Sequence, residues 1–334
     1  MRVGWIAVLV AACGGAADGG GATAGGDASP SLDAAPLCDP CVPTPRLVKS
    51  WGGYGFEPGL FDEPSSIELD SNGVVIVAGH EDRVQRFDQE GTLLDIFGTP
   101  GQGDGQFNHP HGLAVDRQRG DLVYVGDQEN HRLQVFRSNG EFVRQWGGPD
   151  FLHMHDVGID RASGELFGGD LETNVLRKFS PIGELLGRFG GRGSGPGEFN
   201  GLWGISTDSE GFVYVADTRN RRVQKLDRDG NFVKQWSGYG GVGFQKPTGV
   251  YVDEQDLIYV CDSLAERILI FDPEGELRGL WDLRDIYGEQ SEPEDLVIDA
   301  AGANIFVAEV YRHRGTDGIR WGHDPDDRFG AEEQ

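Results

Sequence analysis

The residues best suited to chemistry recur at one position of an internal repeat. His111 stands in Pro110-His111-Gly112-Leu113 and His155 in Met154-His155-Asp156-Val157. Registering the other units on that tetrapeptide brings Ser65, Trp203, Thr248 and Glu294 to the same position. Two imidazoles, a carboxylate and two hydroxyls meeting at one point would form a ligand site. They could equally hold zinc or another divalent metal on His111, His155 and Glu294, with His153 able to stand in for Glu294. The same residues read as well as packing, with His111 a turn residue after Pro110 and His155 one member of a His-rich unit. Other enzyme templates are missing from the sequence: there is no G-x-S-x-G, no H-E-x-x-H and no P-loop. Gly191 to Gly197 is glycine-rich, but it opens a strand-like stretch and has no helix dipole to offer a phosphate.

The elements that would position these residues follow from the repeat. An aromatic residue closes each unit at Trp51, Phe97, Trp146, Phe189, Trp236 and Trp281, at steps of 46, 49, 43, 47 and 45 residues. Inside the units Asp127, Asp170, Asp217 and Asp262 each precede Phe136, Phe179, Leu226 and Phe271 by nine. An arginine follows the acid by five at Arg132, Arg222 and Arg267, and again at Arg314 after Glu309; the third unit has Val175 there instead. These acid–arginine pairs are expected to tie neighbouring strands together. Between them lie short β-branched or aromatic stretches punctuated by Gly, Asp and Asn, four to a unit. Four strands in about 45 residues is the arithmetic of a propeller blade, so the spacing predicts an all-β, six-bladed β-propeller. The sixth unit lacks its outermost strand. Pro45 to Trp51, an orphan strand resembling Phe142 to Trp146, is expected to complete it and close the ring.

The chain's 334 residues carry a formal charge of −26. That charge disfavours nucleic acid and anionic membrane surfaces as partners. Val3 to Ala12 is an apolar run of signal-peptide length, and Val10-Ala11-Ala12-Cys13 resembles a bacterial lipobox. The expectation is a signal peptide at 1–12, lipidation of Cys13 and a flexible tether at 13–45. A propeller at 46–322 and an acidic tail at 323–334 would follow, in a monomer lipid-anchored to the bacterial cell envelope, at the outer membrane or facing the periplasm. Cys38 and Cys41 within the tether suggest a small local disulfide. Cys261, in an apolar run, reads as a small buried side chain.

The stretch Gly105-Gln106-Phe107-Asn108-His109-Pro110-His111-Gly112-Leu113-Ala114-Val115-Asp116, with Tyr124 to Asp127 and Asn130 to Phe136, resembles an NHL repeat. Weaker copies start near Phe61, Phe151, Phe199, Phe244 and Ile286. The third unit is also similar to the Pro-His-Asp-Ile blade of peptidyl-α-hydroxyglycine α-amidating lyases, and the second to another histidine blade of that family. That resemblance implies metal ligation by His111 and His155, with Asp156 beside the site. The lyases alternate three histidine blades round the ring, whereas His111 and His155 fall on adjacent ones. Three functions follow as expectations: a module binding peptide, glycan or protein at the channel mouth, a metal-dependent lyase, or an interaction scaffold.

Overall fold

The computed structural model describes residues 2–11, 42, 45–148, 151, 153–288 and 290–312. Within them six antiparallel four-stranded sheets form a ring. The innermost strands are Pro64–Leu69, Pro110–Asp116, Met154–Ile159, Leu202–Thr207, Pro247–Val252 and Pro293–Ile298, and each packs on the next all the way round. The expected six-bladed propeller is the fold found. No helix among the described residues is long and apolar enough to cross a membrane.

The repeat rulers have separate physical causes. Three of the closing aromatics show the packing on the next blade: Phe97 meets Phe136 at 4.8 Å between ring centroids, Trp146 meets Phe179 at 6.2 Å and Trp236 meets Phe271 at 5.7 Å. The same ring lies over a turn glycine of that blade. Gly183 has φ +94°, and a Cβ there would stand 2.5 Å from Trp146. Both the backbone conformation and the overlying ring therefore require glycine.

The acid of each ruler is fully buried and clasped. Arg132 Nε donates to Asp127 at 2.6 Å and Arg222 Nε to Asp217 at 2.7 Å, while Arg267 Nη2 reaches Asp262 at 2.7 Å. Arg132 also donates to the carbonyls of Gln102, Gly103 and Gln106, which pins the entry loop to its blade. In the third blade Arg177, two residues beyond Val175, pairs with Asp170 at 3.0 Å. Side chains two apart share a face of a strand, so the arginine has moved without leaving its partner.

Ring closure uses one strand more than expected. Pro45–Gly52 is the outermost strand of the sixth blade, and its Trp51 packs on Phe87 of the first blade at 5.9 Å. It does not pair with Asn304–Arg312, because Arg2–Ala11 lies between them. The apolar run read as an export signal is thus the third strand here, with Ile6, Ala7, Val8 and Leu9 buried. Strand Asn304–Arg312 runs three residues past its acid, Glu309. In blades two, four and five the strand stops at the acid and a short 3-10 turn follows, at Gln128–Asn130, Thr218–Asn220 and Ser263–Ala265. Cys13, Cys38, Cys41, Arg314 and the tail at 323–334 lie outside the described residues. Cys261 is buried, as its apolar neighbours suggested.

Candidate functional site at the channel mouth

Each innermost strand begins at one end of the channel, and its second residue stands at the mouth. Ser65, His111, His155, Trp203, Thr248 and Glu294 all line one small cavity there, with Asp156 and Asp295 beneath them. The His111 and His155 rings lie 3.8 Å apart at 41°, and His155 meets Trp203 edge-on at 4.9 Å. His155 and Thr248 are fully buried and His111 nearly so.

The hydroxyls serve the backbone. Ser65 Oγ donates to the carbonyl of His111 at 3.2 Å, and Thr248 Oγ1 to that of Pro293 at 3.0 Å, so each bridges to the next blade. Asp156 does the same work, accepting from Ile205 N at 2.7 Å. Asp295 accepts from Ser66 Oγ at 2.9 Å and Ile67 N at 3.1 Å, which stitches blade six to blade one. Burial pushes both carboxyls up, and each also feels a neighbouring carboxylate. Asp156 rises well above the ordinary carboxylate value, with Asp295 adding to the effect, and Asp295 rises to about 7.

The two imidazoles face one another as packed rings, and Glu294 is turned to Lys246, 3.8 Å from Nζ. His153 lies 3.6 Å from Glu129. Among the described residues no three His, Cys, Asp or Glu side chains are grouped so as to hold a metal ion. His111, His155 and Glu294 share one mouth.

Sequence reasoning missed the surroundings of this ring. Lys246 sits 4.3 Å above Trp203, a cation over an aromatic face. His80 lies 3.9 Å from His109 and 6.0 Å from His111, which extends the row of imidazoles outward. Lys246, one residue before Pro247, could have been found by reading the flanks of each repeat position. The cavity itself is only about 10 Å³, so the mouth is a nearly filled surface.

The NHL-repeat family model matches residues 107–136 and 199–226. The chain is similar to the protein brain tumor of Drosophila melanogaster, 32% identical over 143 residues, which are 42% of this chain and 14% of that protein. It is also similar to peptidyl-glycine alpha-amidating monooxygenase B of Xenopus laevis, 28% identical over 204 residues, 55% of this chain and 22% of that protein. The chain thus spans less than a third of the length of these relatives. Among solved structures, a catalytically inactive virginiamycin B lyase of Staphylococcus aureus with quinupristin superposes with a TM-score of 0.58 at 11% identity, covering 80% of this chain and 87% of that one. At that identity the likeness is one of fold. Repeat spacing and blade architecture agree: the chain is a six-bladed β-propeller that carries NHL repeats at residues 107–136 and 199–226.

Proposed function

We propose that this propeller is an exported, monomeric recognition module, held at the cell envelope by a lipid on Cys13, that binds a peptide segment at its channel mouth. One observation carries the reading: six blades each place one residue of a single repeat position around one cavity, Ser65, His111, His155, Trp203, Thr248 and Glu294. The mouth offers an aromatic edge, a cation over it and a carboxylate beside it, a set suited to an extended chain with mixed polarity. Because the cavity is nearly filled, the ligand would lie across the mouth instead of entering the channel. The Xenopus relative is named for peptidyl-glycine, which favours a peptide over a glycan. Selection of a random heptapeptide library on the full chain tests this. Convergent sequences that no longer bind Trp203→Ala support it; a library that never converges overturns it.

A lyase reading is favoured by the same relative and by the adjacent histidines. It requires glyoxylate release from a peptidyl-α-hydroxyglycine, abolished by His155→Ala. Glu294, the carboxylate at the same mouth, lies 3.8 Å from Lys246 Nζ.

A further inference from the structure

A second cavity, about 160 Å³, occupies the other end of the channel, with Asp156 and Asp295 forming the partition between the two. Its walls carry two arginines at one repeat position on adjacent blades, each directly after the turn aspartate: Arg117 after Asp116 and Arg161 after Asp160. Arg117 Nε donates to the carbonyl of Leu69 at 2.8 Å, and its Nη2 lies 3.4 Å from Glu68. Arg161 reaches across the channel to the carbonyl of Val252. Among the described residues Arg161 has no carboxylate in ion-pair range, although a guanidinium brings five donors and a full charge. Ser206, Tyr251 and Glu254 complete the polar wall, and the exposed Gln118 and Glu254 mark the opening.

We infer that this cavity binds a small organic carboxylate that also carries a hydrogen-bond donor. The carboxylate would meet Arg161, which among the described residues has no carboxylate within ion-pair distance, and the donor would meet Glu68. A cavity of about 150 Å³ holds a molecule of benzene's size, so the ligand has about six non-hydrogen atoms. Lactate fits that description, and lactamide is its uncharged twin. Calorimetric titration of the full chain should show saturable lactate binding and none for lactamide. Arg161→Gln should weaken lactate at least about tenfold with its melting temperature kept, as expected for loss of a charge-assisted bond. Trp203→Ala, at the opposite mouth, should bind lactate normally, which separates this site from the peptide reading. Absence of saturable binding, equal binding of lactamide, or an unaffected Arg161→Gln would overturn it.

Discussion

His111 and His155, on neighbouring blades, hold their rings 3.8 Å apart at a tilt of 41° inside the channel mouth. Residues in such contact share packing, so their deletions should not add. A double-mutant cycle with His111→Ala and His155→Ala, read by denaturant unfolding, should give a coupling of about 1 kcal/mol or more. Additivity within about 0.3 kcal/mol would deny the ring contact.

Asp295 makes stability depend on pH in a defined direction. Burial raises its folded carboxyl to about 7 from the ordinary 3.8, so the folded state keeps a proton that the unfolded chain has lost. Between those values stability falls as pH rises, by up to about 1.4 kcal/mol per pH unit. Asp295→Asn should flatten this slope between pH 4 and pH 7 in unfolding midpoints. An unchanged slope would place the titration elsewhere.

The buried acid–arginine clasps should be costly to break from one side. Arg222→Met leaves Asp217 buried without its partner and should cost about 3–5 kcal/mol. Arg177→Met should cost a similar amount through Asp170, although Arg177 is off the repeat position. A cost below about 1 kcal/mol for Arg177→Met would show that the third blade does not use this replacement.

Two turn glycines separate backbone strain from packing. Gly120 has φ +82° with nothing within 4 Å of an added Cβ, whereas Gly183 has φ +94° beneath Trp146. Gly120→Ala should cost about 1 kcal/mol and Gly183→Ala clearly more, because the ring must also shift. Equal midpoints for the two variants would contradict the packing of Trp146 on this turn.

The sequence spoke clearly wherever a feature repeats. A period near 46 residues specified the blades, and one repeat position specified the six residues at the mouth, because identical backbones deliver equivalent residues to equivalent places. It was silent where a side chain's reach decides the outcome, as when Lys246 pairs with Glu294 or Arg177 stands in for the missing arginine at Val175. The strand at Arg2–Ala11 was hidden for another reason. A short apolar run satisfies an export signal and a buried strand alike, since both ask chiefly for hydrophobicity. The arginine cavity could have been found by aligning the residue after each turn aspartate, which gives Ser71, Arg117, Arg161, Ser209, Glu254 and Ala300.

The central claim is recognition at the mouth, and its most direct measurement is the affinity of one selected peptide for four forms of the full chain. Those forms are the unaltered protein, Trp203→Ala, Lys246→Met and Leu186→Ser, the last on the exposed outer strand of blade three. The account predicts at least about a tenfold rise in Kd for Trp203→Ala and Lys246→Met, the cost of losing a central aromatic or its cation, with Leu186→Ser unchanged. Equal affinity across all four, or loss confined to Leu186→Ser, would move the binding surface off the channel mouth and contradict the account.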